Sequence, residues 1–358
     1  MPQAALRLQP TNLQKMHTQE QLNALSSKIF EIRNEDDFRN LALRLFHLHY
    51  EQNPVYRQYV QALDSSFDAH AVKTPNQIPF LPIEVFKTRK VFLEGVGSED
   101  YFLSSGTGSQ GAVRSTHHIG SLAHYRRCFT RGFEHFFGDV RRYAFFALTP
   151  EPSSQPHSSL IYMLKGLMEE SGHPENGFYL NKEEELAQKL QDCMQNGASQ
   201  AVKPVLFGLS YALWDFAEKY PLDLSKALIF ETGGMKGKRQ ELPKEEFHAI
   251  LKKAFRVPAI LSEYGMCELT SQAYITDTEY RFSCPPWMRV MIRKTLDPLQ
   301  YENFDRTGGI NIIDLGNLYS CPFIATQDLG IQHPDLSFEV KGRFAHSDIR
   351  GCNLMIGE

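Results

Sequence analysis

Apolar residues recur at mixed three- and four-residue spacing over residues 18–66. Leu22, Leu25, Ile29, Phe30 and Ile32 come first, then Leu41, Leu43, Leu45, Phe46 and Leu48, the pattern of helices with one buried face. Pro54 breaks the second run. The stretch Ile78-Pro79-Phe80-Leu81-Pro82-Ile83-Glu84-Val85-Phe86 reads as an extended apolar segment packed on the main core. From residue 90 strand and helix patterns alternate. Strands are expected at 91–93, 101–103, 142–148, 205–208, 227–230 and 259–262, and helices at 119–137, 158–170, 182–195, 211–219 and 244–255. This alternation predicts an α/β fold with helix-covered, mostly parallel sheets. Beyond 286, short strands at 290–293, 309–314 and 338–340 predict a β-rich subdomain. Asp328–Gly330, followed by His333-Pro334-Asp335, reads as loop and turn, which places a boundary within 325–345. The expected division is a core over 1–325, with a helical segment 1–88 packed on it, and a hinge-like tail over 326–358.

Composition narrows the function. The 358 residues are 42% hydrophobic and 22% charged, which excludes a disordered chain or a collagen-like fibre. With 38 Lys+Arg against 42 Asp+Glu the net charge is −4, so nothing favours a nucleic-acid partner. Phe is abundant at 25 against two Trp, enough for a large core with room for an apolar ligand. The cysteines at 128, 193, 267, 284, 321 and 352 have no zinc-ribbon spacing. Without a signal-like N-terminus or a membrane-length apolar run, a cytoplasmic protein with no membrane span is expected.

The clearest chemical motif is Ser104-Ser105-Gly106-Thr107-Gly108-Ser109-Gln110-Gly111, expected between a strand and a helix. Its glycines allow backbone N–H groups to converge on an anion, and its hydroxyls add donors, which suits a polyphosphate. Gly106 and Gly111 have P-loop spacing, but Ala112 and Val113 replace the required Lys and hydroxyl residue.

SSGTGSQG resembles the phosphate loop of adenylate-forming enzymes, the superfamily of acyl-CoA synthetases, luciferases and peptide-synthetase adenylation domains. Glu263-Tyr264-Gly265-Met266-Cys267-Glu268 resembles that family's YGxTE, with Cys267 in place of Thr. Thr326-Gln327-Asp328 resembles its TGD, with Gln327 in place of Gly, and Gly342-Arg343 resembles its hinge pair. Thr232-Gly233-Gly234 stands where the family contacts adenine. The resemblance implies a fold like the large N-terminal domain of these enzymes, with ATP and Mg²⁺ as cofactors. Ser104, Ser105, Gly106, Thr107, Gly108, Ser109 and Gly111 would bind phosphates. Thr232, Gly233, Gly234, Tyr264 and Gly265 would hold the base, Asp328 the ribose and Glu268 the metal, with Arg343 at the hinge.

Fifteen residues follow Arg343, so the resemblance implies a truncated branch lacking the C-terminal domain and its catalytic Lys. Arg114 and Lys236 are the candidates to replace it. Over its whole length, through IPFLPIEVFK, YFLSSGTG, FETGGMKGKR, LSEYGMCE and GRFAHSDIRGCNLMIGE, the chain resembles the acyl-protein synthetases of bacterial luminescence, the long-chain-fatty-acid–protein ligases of LuxE type. That resemblance implies acyl-adenylate formation from a long-chain fatty acid and ATP. Transfer to a cysteine, matched by Cys352, and then to an acyl reductase or acyltransferase partner would follow. Residue chemistry leaves Cys352 open: Arg350 favours its thiolate, Asp348 opposes it, and a buried inert cysteine is the alternative.

Three other readings stand beside this one. Coenzyme A could be the acyl acceptor. Gly208-Leu209-Ser210-Tyr211-Ala212 resembles a nucleophile elbow, so a serine acyltransferase or hydrolase could use Ser210 with Asp314 or Asp328 and His333 or His346; otherwise 208–212 lines the acyl pocket. A non-catalytic acyl- or nucleotide-binding module is the third. His117-His118 lacks the HHxxxD spacing of acyltransferases and reads as loop or helix start; Lys236, Lys238 and Arg239 form a charge run.

Overall fold

The computed structural model describes residues 12–105, 113–196 and 202–344. The first three helices are α1 Asn12–Ile29, α2 Glu35–Gln52 and α3 Pro54–Leu63. Asn53 ends α2 and caps α3: its Oδ1 accepts from the Tyr56 amide at 3.2 Å, and Pro54 takes the first helical position. Strand β1 is Leu81–Pro82 and α4 is the single turn Val85–Thr88. Next come β2 Asp100–Leu103, β3 Thr116–Ile119, α5 Leu122–Phe137 and β4 Tyr143–Leu148. The middle of the chain holds α6 Ser159–Ser171, β5 Gly177–Phe178, α7 Glu183–Asn196, β6 Lys203–Leu209 and α8 Ser210–Lys219. It continues with β7 Leu228–Thr232, α9 Lys244–Phe255, β8 Leu261–Tyr264 and β9 Ala273–Ile275. Strands β10 Met288–Arg293, β11 Thr307–Asp314, β12 Phe323–Gln332 and β13 Phe338–Arg343 close it.

Six strands lie in the order β5-β4-β6-β7-β8-β9, parallel except for the β8–β9 pair. Strand β4 is buried at all six positions because helices cover both faces. Phe145 and Ala147 pack toward Phe129, Phe133 and Leu164 of α5 and α6; Phe146 and Leu148 pack with Leu190, Leu213 and Leu251 of α7, α8 and α9. From β4 the chain runs first to β5 and then back past β4 to β6. The strand order therefore reverses between β4 and β6, and ligand crevices form outside the carboxyl ends of strands at such a point. A second sheet, in the order β1-β12-β11-β10 with β13 also on β12, shares a core with the N-terminal helices through Phe46, Tyr56, Phe80, Phe323 and Ile324.

Five expectations change. The apolar segment 78–86 is not extended throughout, since Val85 and Phe86 lie in α4. Residues 91–93 are buried but form no strand: the Leu93 amide donates to the Tyr319 carbonyl at 3.0 Å, and Ser320 Oγ donates to the Val91 carbonyl at 3.0 Å, so a turn takes the place of a ladder. His117 and His118 lie in β3 rather than in a loop or helix start. Strands β2 and β3 pair antiparallel with Leu103 opposite Thr116, so the next described element after the serine- and glycine-rich motif is a strand and not a helix. Asp328–Gly330 is no loop but part of β12: Leu329 and Gly330 pair on both sides, Asp328 pairs with β13 beside a register shift in the β11 pairing, and the division at 325 falls inside that strand. Among the described residues no helix is long and apolar enough to cross a membrane.

Asn53 also joins the N-terminal helices to the second sheet, because its buried Nδ2 donates to the Ser320 carbonyl at 2.6 Å. Asn53→Ala removes a cap and orphans a buried acceptor, and is expected to cost about 2–4 kcal/mol in urea unfolding. A midpoint unchanged from wild type would contradict this.

Candidate active site

Of the residues singled out in the sequence, Thr232, Gly233, Gly234, Tyr264 and Asp328 lie at the carboxyl ends of β7 and β8 and on the facing strand β12. Tyr264, last in β8, donates its hydroxyl to Asp328 Oδ2 at 2.8 Å. Arg343 stands opposite Asp328 in the β12–β13 register and donates Nε–H to Oδ1 at 3.1 Å. Asp328 points inward because β12 turns Ile324, Thr326 and Asp328 to the buried side. The Tyr264 ring packs against Phe282 and Phe338, with centroids 5.6 and 5.4 Å away. Burial, and then the Asp328 charge, raise the Tyr264 pKa, so the hydroxyl remains a donor.

Beside them, β7 ends in Thr232 and the chain turns through Gly233 and Gly234, with φ of 76° and 63°. Side chains rarely adopt two successive left-handed residues, so the turn needs glycine. Lys236 is also left-handed, at φ 51°. It folds back over the turn, its Nζ 3.8 Å from the point where a Gly233 Cβ would stand. Packing around Lys236, and behind it the Lys238 ammonium, lower its pKa. Its neighbours are occupied elsewhere: Lys238 lies over the Tyr211 ring at 4.2 Å, and Arg239 binds Asp215 and Glu218.

Glu268 is 5% exposed. Burial raises its pKa, opposed in part by a hydrogen bond from the Ser115 hydroxyl and by the charges of Lys87 and Arg343. Ser115 donates its amide to Ser104 Oγ at 2.9 Å. Arg114 donates to the carbonyls of Ser104 and Leu103, closing the hairpin neck. The carboxylate thus stands at the base of the serine- and glycine-rich segment. Among the described residues no three His, Cys, Asp or Glu side chains converge as a metal centre. A metal at Glu268 would have one protein carboxylate and would complete its shell with substrate and water oxygens, which suits Mg²⁺. Gly106, Thr107, Gly108, Ser109, Gly111 and Cys352 lie outside the described residues.

Ser210 does not form the expected triad. Its hydroxyl donates to Glu231 Oε2 at 2.7 Å and contacts the Thr232 carbonyl at 3.1 Å. Asp314 accepts from the amides and hydroxyls of Thr270 and Ser271, while His333 is held by Asp305 and Glu339. These groups are occupied with separate partners, and His346 lies outside the described residues.

Sequence reading gave no role to Glu263, the residue before the aromatic ring. Its Oε2 accepts from Thr232 Oγ1 at 2.6 Å. A Cβ on Gly265 would crowd its Oε1, so a side chain there would displace the Glu263 carboxylate. The signal available was a carboxylate in a strand otherwise bound for the core.

No protein-family model matches the chain, and no curated protein matches it. Its fold is shared with solved structures. One is 2-hydroxyisobutyryl-CoA ligase in an open conformation with 2-HIB-AMP and CoA: TM-score 0.63, 12% identity, covering 96% of this chain and 75% of that one. Another is ATP-bound MatB from Rhodopseudomonas palustris: TM-score 0.51, 12% identity, covering 70% and 50%. A third is the luciferase-like enzyme of the nonluminescent Zophobas morio mealworm: TM-score 0.50, 14% identity, covering 78% and 62%. The chain spans about half the length of the MatB structures it matches. The α/β architecture implied by the resemblance, that of the large N-terminal domain of adenylate-forming enzymes, is the architecture found.

Burial, and behind it repulsion from Glu231, raise the Glu263 pKa to about 7 against the Thr232 hydrogen bond. The folded protein therefore holds this proton more tightly than the unfolded chain does. The associated stability falls as pH rises from about 4.5 to about 7, and the full cost of the buried charge applies above that. Glu263→Gln keeps the acceptor for Thr232 and removes the charge. It is expected to be stabilising by on the order of 2–3 kcal/mol at pH 8 and near neutral at pH 4.5. Denaturant midpoints at the two pH values check this; a gain confined to acid pH would refute it.

Proposed function

We propose that this chain activates a carboxylic acid with ATP, forming an acyl-adenylate and pyrophosphate. The observation that carries the reading is the convergence of Tyr264, Asp328 and Arg343 on one side and Glu268 at the hairpin neck on the other, in a fold shared with MatB solved with ATP and with a CoA ligase solved with 2-HIB-AMP. The two Asp328 oxygens suit the two ribose hydroxyls, the Tyr264 ring offers a stacking face for the base, and the Gly233-Gly234 turn leaves backbone open beside it. The segment 104–111, with Thr107, would cradle the phosphates. In the reaction a substrate carboxylate oxygen attacks the α-phosphorus. A new O–P bond forms, the bond to the bridging oxygen breaks, and the electron pair leaves on pyrophosphate. Mg²⁺ held through Glu268 would neutralise charge on the phosphates. Lys236, with its lowered pKa over the turn, and Arg114 at the neck supply cationic donors near the reacting groups.

The substrate proposed is a long-chain fatty acid, in keeping with the Phe-rich core. A thiol then attacks the acyl carbonyl and AMP leaves. Burial raises the thiol pKa of all five described cysteines, which disfavours each as nucleophile. Cys352, the cysteine the family resemblance matches, is the proposed protein acceptor, with an acyl reductase or acyltransferase as onward partner. A fold relative solved with CoA supports coenzyme A as the second reading.

Two outcomes test this. ATP-dependent pyrophosphate exchange with a panel of fatty acids should be present in the wild type. In Asp328→Ala, ATP affinity should fall by roughly 1.5–3 kcal/mol for each charge-assisted bond lost, while 2′,3′-dideoxy-ATP should bind wild type and variant alike. Equal wild-type affinity for both nucleotides would remove Asp328 from the site. For the acceptor, intact mass should show an ATP-dependent acyl adduct cleaved by neutral hydroxylamine. Cys352→Ser should still form adenylate but lose the adduct. An adduct mapped elsewhere, or none beside ongoing adenylation, would favour coenzyme A.

A further inference from the structure

The segment that presents Glu268 is gripped from behind by two side chains the proposed chemistry does not use. His117, in β3, places Nδ1 2.8 Å from the Cys267 carbonyl. Asn317, in the turn after β11, donates Nδ2–H to the next carbonyl, that of Glu268, at 2.8 Å, and to the Cys321 carbonyl at 2.9 Å. The two grips touch, with His117 Nε2 3.1 Å from Asn317 Oδ1. Both residues are 1% exposed. Because Nδ2 serves two carbonyls, the Asn317 amide cannot flip. Both ring nitrogens face oxygens and an imidazole has one N–H, so the shorter contact, to the Cys267 carbonyl, takes the proton and the Nε2 lone pair rests against Asn317 Oδ1 without a hydrogen bond. Phe86 packs edge-on against the His117 ring at 5.9 Å and limits its rotation.

Two successive peptide planes are thus oriented by buried donors from different parts of the fold. Orienting the planes on either side of the Glu268 Cα fixes the direction of its Cβ, and so aims the carboxylate. Ser115 stands two residues before His117 on the same face of the hairpin and reaches the carboxylate itself. Residues 115–117, which lead into and begin β3, therefore act on both ends of Glu268, His117 on its backbone and Ser115 on its side chain. A carboxylate that loses hydration on burial binds a cation well only if its direction is set beforehand, since outer partners that orient a ligand tune its affinity.

We propose that His117 and Asn317 are positioning residues that aim the Glu268 carboxylate at a divalent cation shared with the nucleotide, an inference resting on the metal role given to Glu268 above.

The test reads metal affinity apart from catalysis. Mn²⁺ binding to the ATP complex is measured by electron paramagnetic resonance of the free ion, and metal-free ATP binding is measured in EDTA. An asparagine amide nitrogen matches imidazole Nδ1 in reach, and a glutamine amide nitrogen matches Nε2. His117→Asn keeps the donor to Cys267 and should hold Mn²⁺ within about threefold of wild type. His117→Gln and His117→Leu lose it and should weaken Mn²⁺ about tenfold or more, with ATP binding in EDTA unchanged for all three. If His117→Leu does not fold, the order of the two amide variants still decides. Equal Mn²⁺ affinity for His117→Asn and His117→Gln, or equal loss of metal-free ATP binding, would overturn the positioning role. Glu268→Gln separates the layers: loss of Mn²⁺ there with no loss in His117→Gln refutes the positioning alone. Wild-type Mn²⁺ affinity in Glu268→Gln removes the metal role and the positioning with it.

Discussion

One buried carboxylate organises the strand ends on which the site is built. Glu231, 5% exposed in β7, accepts through Oε1 from Lys244 and from Ser262 at 2.5 Å, with His248 3.4 Å away, and through Oε2 from Ser210 at 2.7 Å. Burial by itself would raise its pKa, but the Lys244 ammonium and then His248 reverse this and hold it well below the ordinary range. An uncompensated charge there would cost several kcal/mol, so the partners cannot move independently. Those partners belong to α8, β8 and α9. The network sets how far β7 and β8 project, and with them the level at which Thr232 and Tyr264 leave the sheet.

The opposite face of the same strand ends carries a different chemistry. Residues alternate along β8, so Ser262 joins the Glu231 network while Glu263 faces the aromatic layer with its cross-strand partner Tyr274. Two carboxylates one strand apart thus have opposite environments, one saturated with cations and donors and one with a single hydroxyl. The second sheet supplies Asp328 from β12. Parts drawn from both sheets meet in the Tyr264–Asp328 hydrogen bond.

The parallel sheet was largely legible in the sequence because strands covered on both faces, such as YAFFAL, read as unbroken apolar runs. Strand β12 was not, for a reason tied to function. Its inward positions include Thr326, Asp328 and Gly330, so the period of two is present but written in polar and small residues. The reverse error, at 91–93, came from an apolar run whose backbone is satisfied by a turn. The glycine turn and the Tyr264, Glu268 and Asp328 positions stood out by residue type and order. Asn317 and Glu263 did not, and His117 stood out only as half of a His pair with another reading, since each acts through a partner 31 to 200 residues away that only the fold brings near.

Strand β1 contributes only two residues, yet it pairs Leu81 with Ile324 and Pro82 with Ala325. The sheet that carries Asp328 is therefore stitched to a segment made some 240 residues earlier. During synthesis the apolar faces of α2 and α3 emerge well before β10 to β12, which cover them. The six-stranded sheet, drawn from one contiguous stretch, has all its partners in hand much sooner. Co-translational folding is therefore expected to complete the layer bearing Tyr264 before the N-terminal helices are covered, leaving an interval in which non-local pairing is slow and aggregation competes.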